Sequence, residues 1–152
     1  MQVKVIEKTV FSPEEMVEFG KESGHLLAKP NLILALRGDL GAGKTTFLKG
    51  FISFLTKLPL HLIQSPTFTY LQTYEISATF PLFHFDLYRL KSGRQFIEAG
   101  FFDYLNAGGI CCIEWADRAH AYLPPETIDL EITLDSNPCV RHCVLTTTTS
   151  KG

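Results

Sequence analysis

A chain of 152 residues with 45% hydrophobic and 20% charged residues has the length and composition of one globular domain with a full core, and no spare length for a second. Its net charge of −2 excludes the basic field of a protein that grips nucleic acid directly, so any RNA in its work is expected to be held by a partner. No stretch approaches the roughly 18 apolar residues of a membrane-spanning helix, and residues 1–5 lack the pattern of a signal peptide, so a cytoplasmic location is expected.

Residues 3–10 alternate well enough to predict a strand. A helix start follows: Ser12 can cap, Pro13 suits the first helical position, and Glu15 stands three residues after the cap. That helix is expected to run to about Ala28 and to stop before Pro30. The apolar run 32–36, LILAL, reads as a buried strand, and directly after it Gly38, Asp39, Leu40, Gly41, Ala42, Gly43, Lys44 and Thr45 spell GDLGAGKT. This matches G-x-x-x-x-G-K-[ST], the P-loop, at every fixed position. Beyond it Phe47, Leu48, Phe51 and Leu55 share one helical face. Strand, glycine-rich loop and helix thus come in the order that aims backbone N–H groups and a helix N-terminus at phosphates. The glycines let the backbone approach the oxygens, Lys44 can reach the β and γ phosphates, and the Thr45 hydroxyl can bind Mg²⁺.

Pro59 breaks the chain, Ser65-Pro66 introduces an expected β-rich stretch over 67–75, and an apolar strand is predicted over 80–86. Residues 92–109 read as short helices and loops, 110–114 as a compact buried strand, and 128–134 and 140–147 as two closing strands. Residues 146–152 are polar and read as a frayed tail of the single domain 1–152. Strands alternating with helices around a P-loop predict an α/β three-layer sandwich of the P-loop NTPase type. Its central sheet is expected to be mixed but largely parallel.

A P-loop site also draws on an acid at the end of a neighbouring buried strand, holding Mg²⁺ directly or through water. Two strand ends fit, Asp86 in LFHFD and Glu114 in ICCIE, and spacing does not choose between them. Thr67, in SPTFT, lies where related hydrolases keep a segment that senses the γ-phosphate. Trp115 directly follows Glu114, beside the site. The five histidines are scattered and read as structural or surface groups. Cys111 and Cys112, adjacent on a strand, point to opposite faces, and with Cys139 and Cys143 they read as reduced thiols rather than zinc ligands. GTP-specific folds read guanine with an Asn-Lys-x-Asp segment. The chain lacks one, so ATP is the expected nucleotide.

GDLGAGKTTF at 38–47, SPTFT at 65–69, HFDLYRL at 84–90 and IEW at 113–115 occur in this order in so short a chain. Together they resemble the TsaE (YjeE) family, and the resemblance covers nearly the whole chain. The family consists of bacterial P-loop ATPases required for threonylcarbamoyladenosine in tRNA, working with TsaD and TsaB. The resemblance implies that Lys44, with the loop through Thr46, binds the phosphates, and that Thr45 and Glu114 are Mg²⁺ ligands. It further implies that Asp86 acts near the attacking water or the metal, that Thr67 belongs to a switch-like loop, and that Arg141 stands near the nucleotide. Phe11 and Pro13 would then lie near the adenine. Arg94-Gln95 and Ala116 depart from the family's usual acidic pair and proline. The rival reading is a small-molecule kinase, which needs clustered lid arginines. Here Arg37, Arg89, Arg94, Arg118 and Arg141 are scattered.

Overall fold

The computed structural model describes residues 2–78 and 80–149. Leu34 and Leu36 of strand β2 (Ile33–Arg37) face one side of a sheet, and Ile33 and Ala35 face the other. This alternation, with every one of the four buried, is what a strand covered on both faces requires. On the first face lie helix α1 (Pro13–Leu27) and the P-loop helix α2 (Lys44–Thr56), which contribute Met16, Phe19, Phe47, Leu48, Phe51 and Ile52 to the core. Helix α3 (Gly93–Glu98) and the 3₁₀ turns at Phe101–Asn106 and Ala116–Tyr122 cover the second face, packing Phe96, Leu105 and Ala119 against Phe85 and Ile113. The result is the expected three-layer P-loop sandwich.

The remaining strands are β1 (Gln2–Val10), β3 (Leu71–Ser77), β4 (Phe80–Asp86), β5 (Ile110–Glu114), β6 (Ile128–Leu134) and β7 (Arg141–Thr149). Among the described residues they form one seven-stranded sheet with the order β1-β7-β6-β2-β5-β4-β3. β6, β2, β5 and β4 are mutually parallel, while β1, β7 and β3 pair antiparallel with their neighbours. The sheet is therefore mixed, with its parallel part confined to the middle. Residues 146–149, read from sequence as the start of a frayed tail, are paired with residues 2–5 in β1. Residues 150–152 lie outside the described residues.

Ser12 accepts the Glu15 N–H at 3.1 Å and Glu15 reaches back to the Phe11 N–H at 2.7 Å, so α1 begins as the capping pattern indicates. The two helices cross at glycines. A Cβ on Gly20 would stand 2.1 Å from the Phe47 carbonyl oxygen, and one on Gly50 2.0 Å from that of Val17. Only glycine permits this approach, which packs the backbones of α1 and α2 directly against each other. The segment expected to be β-rich from residue 67 becomes strand only at Leu71. Pro66 brings no N–H to a ladder, its carbonyl accepts the Tyr70 N–H at 2.8 Å, and Tyr70 takes a left-handed φ of 66°, so residues 65–70 form a loop instead.

Candidate phosphate and metal site

Gly43 takes φ 112° and caps α2 without a side chain, a conformation that strains any residue with a Cβ. The first N–H groups of α2 are left without intrahelical acceptors, as at every helix start, and face a cavity of about 280 Å³. Its wall brings together Leu40, Gly41, Ala42, Gly43, Lys44, Thr45, Thr46, Ser65, Thr67, Asp86, Glu114 and Trp115. Gly38 and Asp39 are not in that wall and instead line a larger cavity of about 490 Å³ shared with Trp115 and Asp117. Neither Lys44 nor Thr45 stands in that second wall, so the smaller cavity is where the chemistry converges.

β4 and β5 end side by side, with Asp86 paired to Glu114, and both acids point to the α2 face. Thr45 donates to Glu114 Oε1 at 2.8 Å, and His84 Nε2 lies 2.7 Å from Glu114 Oε2. Ser65 Oγ sits 2.6 Å from Asp86 Oδ2 and 3.1 Å from Glu114 Oε2, and Thr67 Oγ1 is 3.4 Å from the same Asp86 oxygen. Asp86 Oδ1 accepts the Tyr88 N–H at 3.0 Å. Burial pushes the Glu114 carboxyl up, but the hydrogen bond and charge of His84 and the hydroxyls of Thr45 and Ser65 outweigh it and hold Glu114 below the usual carboxylate range.

Lys44 is buried and donates to the carbonyls of Gly38 and, at 3.1 Å, Asp39. Its ammonium lies 4.1 Å from the Trp115 ring centroid, a cation–π distance. Burial pushes its pKa below the ordinary lysine value, against the pull of Glu114, Asp86, Asp39 and Asp117. Trp115 holds this position through a left-handed backbone, φ 58° and ψ 44°, and packs on Tyr88 at 4.8 Å between ring centroids.

The hydroxyl of Thr45 and the carboxylates of Glu114 and Asp86 are hard oxygen donors, the set Mg²⁺ accepts, and Thr45 and Glu114 are already within contact of each other. These residues fit the ion.

Arg141 does not line this cavity. Its guanidinium donates to the carbonyls of Ala42 at 3.1 Å and Gly41 at 3.3 Å, and to those of Pro138 and Val140. It thus braces the P-loop from behind, in the wall of an adjoining, mostly apolar cavity of about 380 Å³ that also contains Phe11, Pro13, Met16 and Cys139. Ser65 and His84 were not among the residues singled out from the sequence. The signal for His84 was its place two residues before Asp86, on the same face of β4; Ser65 carried none beyond its position in SPTFT.

Comparison with known proteins agrees with this geometry. The sequence model of the TsaE family, described as "Threonylcarbamoyl adenosine biosynthesis protein TsaE", matches residues 10–142. The "tRNA threonylcarbamoyladenosine biosynthesis protein TsaE" of Rickettsia conorii is 42% identical over 130 residues, 85% of this chain and 72% of that protein. Proteins of the same description from Bacillus subtilis, 36% identical over 86% of this chain and 78% of the relative, and Haemophilus influenzae, 33% over 95% and 92%, are also similar. The crystal structure of Bacillus subtilis YdiB superposes with a TM-score of 0.76 at 32% identity, covering 98% of this chain and 89% of YdiB. With the family model spanning most of its length and its P-loop, paired acids and sheet in place, the chain belongs to the TsaE family.

Proposed function

We propose that this chain is a Mg²⁺-dependent ATPase that acts with TsaD and TsaB in the threonylcarbamoyladenosine modification of tRNA. The observation that carries the reading is the convergence in one cavity of the P-loop, Lys44, the Thr45–Glu114 pair and Asp86. The loop amides and the start of α2 would cradle the phosphates, with Lys44 moving its charge from the loop carbonyls to the β and γ oxygens. Thr45 Oγ1 and Glu114 Oε1 would hold Mg²⁺, which when bound neutralises developing phosphate charge. Asp86, already an acceptor for the hydroxyls of Ser65 and Thr67, would orient the attacking water and sense the loop around Thr67. The apolar cavity lined by Phe11 and Pro13 suits a purine ring, and ATP rather than GTP because the chain has no guanine-reading segment.

Phosphoryl transfer gains about 10³ to 10⁵ in rate from an arginine at the γ-phosphate. Among the described residues no arginine lines the cavity. Arg37 pairs with Asp129 at 3.2 Å, Arg94 with Glu98 at 2.8 Å, Arg89 covers the exposed Phe68 ring at 4.6 Å, and Arg141 is bound to carbonyls. This disfavours the kinase reading, which needs a cluster of lid arginines. It also implies slow hydrolysis by the chain alone and stimulation by the partner complex. The test is steady-state phosphate release with and without TsaD and TsaB, and tRNA modification with Lys44→Ala in place of wild type. Partner-stimulated release and a failure of multiple turnover with the variant are expected. Equal rates in both conditions with undiminished modification would refute the proposal.

A further inference from the structure

One donor at the metal-side carboxylate has no place in the nucleotide chemistry above. His84 is fully buried, with its Nε2 2.7 Å from Glu114 Oε2, while its Nδ1 has no hydrogen-bond partner among the described residues. On the same sheet face Leu82 stands two residues before it, with Cys112 of β5 and Gln72 of β3 opposite it in the register; the Gln72 amide is bonded to the Thr73 carbonyl, not to the ring. An imidazole with an unsatisfied nitrogen in such surroundings is a cost to folding that a leucine would avoid. The compensation lies entirely at Nε2.

Counting protons at Glu114 shows what that nitrogen supplies. Oε1 accepts the Thr45 hydroxyl at 2.8 Å. Oε2 has two neighbours, His84 and Ser65, but Ser65 has one hydroxyl hydrogen to share between Glu114 Oε2 at 3.1 Å and Asp86 Oδ2 at 2.6 Å. The shorter contact takes it. Among the described residues His84 is therefore the only full donor to Oε2, and it is rooted in β4, the strand next to the one that carries Glu114.

We infer that His84 is a positioning residue for the metal: its Nε2–H pins Oε2 of Glu114 to the sheet, so that Oε1 is the oxygen turned towards Thr45 and the ion. The inference rests on the Mg²⁺ reading above and adds what holds the coordinating oxygen in place. A carboxylate without this anchor rotates about its terminal torsion, which is broad and poorly restrained, and the hydroxyl–carboxylate pair loses its fixed spacing. Outer partners of metal ligands typically account for about 10- to 100-fold in metal affinity.

The experiment measures Mn²⁺ binding by electron paramagnetic resonance in the presence of a non-hydrolysable ATP analogue, and analogue affinity in EDTA, for wild type, His84→Phe, His84→Asn and His84→Gln. Glutamine carries its amide nitrogen as many bonds from Cβ as histidine carries Nε2, whereas asparagine stops one bond short. His84→Phe and His84→Asn are expected to weaken Mn²⁺ binding about 10- to 100-fold, with metal-free analogue affinity within about twofold of wild type. His84→Gln is expected to restore most of the loss. If the phenylalanine variant does not fold, the asparagine and glutamine pair decides. Unchanged Mn²⁺ affinity in the variants that lack the donor, no rescue by glutamine, or a parallel fall in metal-free affinity would each overturn the inference. A wild-type protein that binds the analogue but no Mn²⁺ would instead sink the metal reading, and this inference with it.

Discussion

Trp115 sits in the left-handed region at φ 58° and ψ 44°, between the Glu114 carboxylate and the turn that begins at Ala116. A side chain with a Cβ pays about 1–2 kcal/mol for that conformation, and glycine pays almost none. Against this, glycine loses about 0.4–1 kcal/mol relative to alanine through the greater freedom of its unfolded chain. The comparison to make is Trp115→Gly with Trp115→Ala, because both remove the indole and so lose the Tyr88 packing and the Lys44 contact equally. What remains is the backbone difference, about 0.8 kcal/mol in favour of glycine. For a chain of this size that corresponds to an unfolding midpoint roughly 2 °C higher for the glycine variant. Urea and thermal denaturation of the two proteins measure it. An alanine variant as stable as the glycine variant, or more so, would refute the claim that the turn after Glu114 is strained.

Lys44→Ala is expected to weaken ATP binding about 30-fold, the equivalent of about 2 kcal/mol for one charge-assisted contact, while the unfolding midpoint stays close to wild type; wild-type affinity in a folded variant, read by titration calorimetry, would contradict the site. Gly50→Ala should destabilise by about 3 kcal/mol or prevent folding, since its Cβ would meet the Val17 carbonyl at 2.0 Å; a denaturation midpoint equal to wild type would mean that α1 and α2 can separate without cost. Burial pushes the thiol of Cys111 up to about 12 and that of Cys143 up to about 11, and that of Cys112 upwards too. These groups stay protonated below those values, so between pH 7 and about 9 a thiol reagent should label the exposed Cys139 rapidly and the other three only on unfolding. Because Cys139 lines the apolar cavity beside the P-loop, ATP should slow its labelling; rapid reaction of a second thiol in the folded protein, or no protection by ATP, would count against these assignments.

The P-loop could be read from sequence because its chemistry is local: loop, strand and helix are consecutive, and each constrains the next. Asp86 and Glu114 were visible for a related reason, as acids closing apolar runs. What joins them was not. Their meeting depends on β4 pairing in parallel with β5 in one register, and a shift by one residue would have turned either acid to the opposite face. The same pairing turns His84 from one scattered histidine into a contact of Glu114. Arg141 could be placed near the P-loop only by resemblance, since its direction follows from β7 being inserted between its neighbour β6 and β1, the latter far away in sequence. The expected strand at residue 67 failed because an apolar and β-branched composition says nothing of the missing N–H at Pro66. That residues 146–149 extend a strand was hidden by their threonine-rich composition, which suits a half-buried strand as well as a tail.

The strand order carries a consequence for how the protein is made. β7 lies between β1 and β6, so β1 has no place in this sheet until β7 has left the ribosome. The middle of the sheet, with its P-loop, can assemble while synthesis is still under way, whereas β1 must wait for a partner about 140 residues downstream. The apolar cavity beside the P-loop draws Phe11 from the end of β1 and Arg141 from the start of β7. Its walls close only in that pairing, so a nascent chain carries its glycine-rich loop before the apolar cavity beside it exists.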